Sequence, residues 1–310
     1  MKSLQRSARF PCIFSYLCYN ACKCCVRGAP GGVKNTVYYL ILAFFAALLL
    51  FSGWKLTGLL HSYKEGQDSY ESLEQFVSFE TREDPEISDT TTAPEEGQET
   101  IPADTLPTAE TAAQDESTVF PEVDFEGLFQ INPDIVGWLY IPGADISYPV
   151  VQGSDNDYYL NRLFDGTRNS SGSIFLDAYC SSDFSDRHSI IYGHHMKDMS
   201  MFTRLMNYKS QAFYNDHPEA LLMTPRCNYR IRFFSGYVSS TWTNAWELDF
   251  ENNSFEQWLK EAMAKSCFIP ADSPSPEDSV ITLSTCSYEF DTAKFVLHGY
   301  VAERIEKDIE

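Results

Sequence analysis

The chain has 310 residues, with 23 Lys and Arg against 44 Asp and Glu and a formal net charge of −21. That acidity excludes a nucleic-acid-binding role, which needs a basic face, and the length allows one or two domains. The charge is unevenly placed: Met1 to Lys64 carry eight basic residues and no acid, whereas the remainder carries 15 basic and 44 acidic residues, a formal charge of −29.

Residues 1–35 form a basic tail holding five of the nine cysteines, Cys12, Cys18, Cys22, Cys24 and Cys25. The run Cys22-Lys-Cys24-Cys25 lacks a clean four-ligand zinc spacing, so these thiols have no assigned role. The stretch "TVYYLILAFFAALLLFSGWKL" (36–56) is long enough to cross a bilayer as a helix, for which ~20 apolar residues suffice. Lys2, Arg6, Arg9, Lys23, Arg27 and Lys34 precede it, which places the N-terminus in the cytoplasm and the acidic remainder outside. A cleavable signal peptide is the competing reading, but the preceding segment is long and no small-x-small cleavage site is evident. The expectation is a retained single-pass anchor in the cell membrane.

Residues 57–118 read as an extracellular acidic linker. Within it, "YESLEQFVSF" (70–79) is predicted as a short amphipathic helix. The following 81–118 stretch is rich in Thr, Pro and Glu and poor in aromatics. It lacks the apolar area to offset its ordering entropy and reads as a disordered, self-repelling spacer.

Residues 119–310 have the size of one domain. Strands are predicted at 136–143, 146–153, 172–177, 188–195, 220–225, 229–240, 280–286 and 294–305, many of them short, β-branched or aromatic, and bounded by Gly, Pro or Asp. Such a set suggests a mainly β fold, a closed or nearly closed eight-stranded barrel with short helices. A helix at 200–208 is predicted with Phe202, Leu205 and Met206 on one side. A second, at 254–265, has Ser254 and Gln257 in capping-box spacing and an apolar stripe of Phe255, Trp258, Leu259, Ala262 and Met263.

Four cysteines fall in this domain: Cys180, Cys227, Cys267 and Cys286. The last ends "VITLSTC" (280–286), whose alternation puts Val280, Thr282, Ser284 and Cys286 on one strand face and Ile281, Leu283 and Thr285 on the other. A thiol at a strand's last position is held firmly yet reaches solvent, as a reactive thiol needs; an inert packed cysteine is the competing reading. If Cys286 stays free, an odd three remain, which argues against a full disulfide framework. Catalysis also needs a base or cation beside the thiol. In "IIYGHHM" (190–196) a strand ends at Gly193 and presents His194 and His195. Zinc is the alternative there, but no Cys or carboxylate spacing completes a site. Lys294, at the start of the next strand, would lie across the same cleft if those strands are neighbours, where a cation stabilises a developing oxyanion. Otherwise it is a solvated edge charge.

These residues resemble a known family. "TLSTC" (282–286) is similar to the Thr-Leu-x-Thr-Cys signature of sortases, and "YGHHM" (192–196) to their histidine strand. "INPDIVGWLYIPGADISYPVVQGSDNDYYL" (131–160) and the 254–265 helix look like the class B branch. The resemblance covers 119–310, with the family's N-terminal anchor also in place. It implies a sortase-like barrel in which Cys286 is the nucleophile and His194 the acid or base, with no catalytic role for His195. Ser284 and Thr285 would bind substrate. Lys294 stands where the family normally has Arg, so a cation is kept but its planar fork is lost; Arg230, Arg232 and Arg304 are the other candidates.

The implied activity is a membrane-anchored cysteine transpeptidase. It would cleave a C-terminal sorting signal of exported proteins and pass the acyl group to an amine of a cell-wall precursor or a pilin. No metal or organic cofactor is implied. The rivals are a cysteine hydrolase using the same Cys and His, and an inactive surface-binding module.

Overall fold

The computed structural model describes residues 31–79, 119–250 and 254–307. The five tail cysteines and the Thr/Pro/Glu-rich 81–118 stretch lie outside the described residues. The chain divides into two compact units, the first ending at Leu60 and the second beginning at His61.

Helix α1 (Gly31–Glu71) supplies the described part of the first unit. Its side chains from Val37 to Leu60 include Tyr38, Leu40, Phe44, Leu49, Leu50 and Trp54, all exposed. Among the described residues it is the one helix long and apolar enough to cross a membrane. The chain stays helical without a break to Glu71.

In the second unit, the last turns of α1 and the residues after it already belong to the folded core. Leu73 is buried, and Tyr63, Tyr70, Phe76 and Val77 pack against the core clusters. The helix expected over 70–79 therefore does not form. A single 3-10 turn at Glu74–Phe76 leads into β1 (Val77–Ser78), which pairs antiparallel with β2 (Glu122–Val123). Ten residues make a marginal helix, and here backbone pairing and burial of Leu73 override the helical period. The second compact unit thus includes Tyr63, Tyr70, Leu73, Phe76 and Val77.

All eight predicted barrel strands are present: β3 (Ile135–Ile141), β4 (Ile146–Val151), β5 (Ile174–Leu176), β6 (His188–Tyr192), β7 (Glu219–Met223), β8 (Cys227–Ser240), β9 (Val280–Cys286) and β10 (Ala293–Glu306). They close in the order β10-β8-β7-β3-β4-β5-β6-β9. Strands β3 and β4 form a hairpin through Pro142–Asp145, where Gly143 takes φ +71° and Asp145 φ +53°. A side chain at 143 would meet His217 Cε1 at 2.7 Å, so the turn needs glycine twice over. Two pairings, β4 with β5 and β6 with β9, are parallel. Helix α2 (Phe125–Ile131) precedes β3 and buries Phe125 and Leu128.

The predicted helix at 200–208 is present as a 3-10 helix over Phe202–Lys209. Its buried side chains include Phe202, Leu205 and Tyr208, a spacing of three that suits three residues per turn; Met206 is only half-buried. Helix α3 (Gln211–Asp216) follows. Helix α4 (Ser254–Lys265) has the predicted bounds and buries Phe255, Trp258, Leu259 and Ala262 against Phe234, Tyr237, Val280 and Val296. At ~1.5–3 kcal/mol for each large apolar side chain, this stripe fixes α4 on the outer face of β8, β9 and β10. Gln257 donates to Glu261 Oε1 at 3.0 Å, so its amide is used along the helix.

Strand β9 is consequently sandwiched. Ile281 and Leu283 join Phe295 and Leu297 in the barrel interior, while Val280 faces α4. Only its last residue, Cys286, escapes full burial.

Candidate active site

Two pairings of β9 assemble the site. Antiparallel to β10, it sets Cys286 directly opposite Lys294. Parallel to β6, it sets Ser284 opposite Tyr192, and the ladder runs one step further as Gly193 N–H donates to the Ser284 carbonyl at 3.0 Å. The chain leaving β6 therefore delivers His194 and His195 beside the end of β9.

Lys294 Nζ donates to Cys286 Sγ at 3.0 Å. The thiol is pulled down to about 7, chiefly by its hydrogen bond with His194, against the opposing effect of burial and with further help from the Lys294 ammonium. His194 moves the other way: its contact with Cys286 raises its pKa, opposed by burial and reinforced by the Leu160 carbonyl. Thiolate and imidazolium thus stabilise one another.

The imidazole orientation is fixed by backbone. His194 Nε2 lies 2.6 Å from the Leu160 carbonyl oxygen. A carbonyl only accepts, so Nε2 carries a proton, and Nδ1 is the nitrogen left for the thiol. His195 does something else. Its Nδ1 donates to the Cys286 carbonyl at 2.9 Å, and its ring packs 4.8 Å from that of Tyr288, whose hydroxyl donates back to the His195 carbonyl. It clamps the end of the strand.

Ser284 and Thr285 are both buried. The Ser284 hydroxyl accepts from Trp246 Nε1 at 3.1 Å, while Thr285 Oγ1 has no hydrogen-bond partner. The alternative cations are elsewhere. Arg230 sits opposite Glu303 and Arg232 opposite Tyr300 on β10, nine and six residues along from Lys294. At ~3.3 Å per residue these offsets, and the ten residues to Arg304, are about 20–33 Å. Each of the three is paired with a carboxylate: Arg230 with Glu219 and Glu303, Arg232 with Asp272, Arg304 with Glu306.

Cys180, Cys227, Cys267 and Cys286 are all free thiols, and no metal-holding group of His, Cys, Asp or Glu occurs among the described residues. Two large cavities, of about 680 and 1560 Å³, are lined by neither Cys286, His194 nor Lys294. The site is a strand end at the surface.

Two contributors lie beyond the sequence reading, the Leu160 carbonyl and Gly172, whose Cα faces the His194 ring. A backbone carbonyl leaves no mark in the sequence. Gly172 stands at a predicted strand start, with nothing to tell it from a turn residue.

No family model matches the chain. The sortase B of Listeria monocytogenes is 36% identical over 179 residues, covering 57% of this chain and 73% of that protein. The crystal structure of Staphylococcus aureus sortase B superposes with a TM-score of 0.55 at 35% identity, covering 59% of this chain and 87% of the other. Structures of an S. aureus sortase B–substrate complex and of sortase B with triglycine align at TM-scores of 0.54 and 0.55, with 34 and 35% identity, covering 59% of this chain and 84 and 85% of theirs. With the thiol, imidazole and cation gathered at the end of β9 in an eight-stranded barrel, the chain belongs to the sortase B family of cysteine transpeptidases.

Proposed function

We propose that Cys286, His194 and Lys294 carry out acyl transfer from a C-terminal sorting signal of exported proteins to an amine of a cell-wall precursor or a pilin. The observation that carries this reading is the lowered thiol of Cys286, held between an imidazole of fixed tautomer and an ammonium 3.0 Å away. The thiolate attacks the scissile carbonyl, and the carbonyl oxygen takes up negative charge beside Lys294 Nζ. His194, protonated at Nδ1 as the thiolate forms, gives that proton to the leaving amine. The thioester is then resolved by an incoming amine, whose proton returns to His194. Ser284 and Thr285, the strand neighbours of Cys286, would bind peptide beside the nucleophile; both are buried here, and Thr285 Oγ1 has no hydrogen-bond partner. Peptide substrate and amine acceptor are both in keeping with the substrate complex of S. aureus sortase B and the triglycine complex of sortase B.

The test is to incubate the full chain with candidate sorting-signal peptides, with and without an oligoglycine amine, and follow products by mass spectrometry. A thioester on Cys286 and an amine-dependent ligation product are expected. Hydrolysis that ignores the amine would replace this reading with a cysteine hydrolase, and failure of Cys286 to label with a thiol-reactive probe would replace it with an inactive binding module.

The apolar run of α1 and the eight basic residues around it support a single-pass anchor with the catalytic unit outside the cell. Protease added to wall-stripped intact cells is expected to remove the catalytic unit; cleavage only after permeabilisation would reverse the topology.

A further inference from the structure

The wall behind His194 is built by residues far from it in sequence. Gly172 takes φ +59°, and a Cβ there would fall 2.8 Å from His194 Cδ2 and 2.6 Å from the Leu160 carbonyl oxygen. Gly172 therefore touches both members of the hydrogen bond that sets the imidazole tautomer. Its own carbonyl accepts from Tyr70 Oη at 2.9 Å.

Tyr70 is not alone in gripping this segment. Asn169 Nδ2 donates to the Ser62 carbonyl at 2.8 Å, while Asn169 Oδ1 accepts from Ser171 N–H at 2.9 Å, which ties the turn before Gly172 to α1. Gly66 is buried against the same turn; a Cβ on it would lie 3.1 Å from Ser171 Oγ. The Tyr70 ring also packs 5.3 Å from Tyr148, whose hydroxyl accepts from Met201 N–H at the far end of the loop that begins with His194. Tyr70 thus braces the segment behind His194 directly and the end of its loop through one intermediary. Burial raises the Tyr70 hydroxyl well above its ordinary pKa, which keeps it a donor throughout the working pH range.

We infer that the last turns of α1, Ser62 to Tyr70, belong to the active-site apparatus, and that Tyr70 is a positioning residue holding the Gly172–Leu160 cradle and, through it, the orientation of His194. This rests on the reading of His194 as the acid–base group. A displacement of the order of 1 Å at a group engaged in proton transfer costs up to ~10²-fold in rate. Loss of one buttressing hydrogen bond, with the ring retained, should cost about a tenth of that.

The test uses the full chain carrying Tyr70→Phe, which deletes the donor and keeps the ring, beside Gly172→Ala and His194→Ala. For Tyr70→Phe the expected result is kcat lowered about tenfold with KM within about twofold. The alkylation midpoint of Cys286 should also rise above that of the wild type as the imidazole contact loosens. Gly172→Ala is expected to show the same two changes more strongly; if it fails to fold, Asn169→Ala takes its place. A Tyr70→Phe enzyme that melts earlier but keeps wild-type kcat and midpoint has lost only stability, and overturns the inference. Should His194→Ala remain active, the acid–base reading itself falls; should it be inactive while Tyr70→Phe is unaffected, only the positioning role falls.

Discussion

Two pairs of histidines lie toward opposite ends of neighbouring barrel strands and sit in different surroundings. His188 opens β6, and His298 lies on β10; both are fully buried under α4. His188 Nδ1 donates to the Glu247 carbonyl, its Nε2 contacts Thr282 Oγ1 at 2.6 Å, and that oxygen contacts His298 Nδ1 at 2.7 Å. Trp258 of α4 packs against both rings, 4.8 and 5.2 Å away. Burial drives His188 down to about 4 and His298 well below the ordinary range. At the other end of the same strands, His194 is half-buried and raised by Cys286, and His195 clamps a carbonyl. Burial without an ionised partner leaves an imidazole neutral and structural, whereas the hydrogen bond to the Cys286 thiol raises His194 against both burial and the neighbouring Lys294 ammonium.

The largest expected effect separates the pairs outright. Cys286→Ala and His194→Ala should each leave no measurable ligation, and the double variant should be little worse than either, because in the proposed mechanism nucleophile and acid act as one unit. His188→Gln should keep ligation and lose stability instead. Ligation by His194→Ala, measured with peptide and amine, would break the contrast.

Next is Lys294. Lys294→Ala and Lys294→Met should each lower the thioester-forming rate by about 10²–10³, the usual loss of one oxyanion donor. Lys294→Arg should preserve or raise it, since a guanidinium keeps the charge and can donate twice. A merely solvated edge lysine would tolerate all three, with stability shifts within ~0.5 kcal/mol.

The pH dependence sharpens the comparison in kind. Iodoacetamide alkylation of Cys286 should have its midpoint at about pH 7. Lys294→Met should move it upward, because the lost ammonium favoured the thiolate; His188→Gln should not move it. Stability should respond with the opposite sign at His188 and His194. His188 binds its proton in the unfolded chain near pH 6.5 and in the folded chain only near 4, so its contribution falls as pH drops through that window. The slope is on the order of 1.4 kcal/mol per pH unit for each such histidine. His194, raised by folding, contributes stability that is present in acid and lost as pH rises through its folded value. Denaturant titrations from pH 7 to 4 should show the acid loss in the wild type and a flatter curve in His188→Gln.

The smallest effect belongs to His195. His195→Ala should retain substantial activity, because the ring bonds the backbone carbonyl of Cys286 and leaves the thiol alone. Loss as complete as that of His194→Ala would reassign the two rings.

The eight strands and α4 are legible in the sequence because most are short β-branched or aromatic runs, several ended by Gly, Pro or Asp, and α4 is a 3.6-residue apolar stripe. Cys286 and His194 stand out as strand ends bearing reactive side chains, though choosing between His194 and His195 takes the family resemblance. The place of Lys294 opposite Cys286 follows from cross-strand register once β9 and β10 are neighbours. Residues 61–79 resist reading because Tyr63, Tyr70, Leu73 and Phe76 are spread thinly among charges, and only tertiary contacts give them a core to join. The Leu160 carbonyl and the Gly172 cradle depend on backbone geometry, which side-chain identity does not encode.

The parallel pairing of β6 with β9 bears on folding as well as on chemistry. It joins His188 to Val280, residues 92 apart in the chain, and it is one of the links that close the barrel. Pairings of such long sequence separation carry a large loop-closure entropy and slow the folding of β proteins. Until this one forms, His194 is not delivered to Cys286, and the thiol keeps the sluggish reactivity of an ordinary cysteine. The unfolded chain is thereby spared a reactive thiolate, and the appearance of rapid alkylation at neutral pH during refolding becomes a clock for the moment the barrel closes.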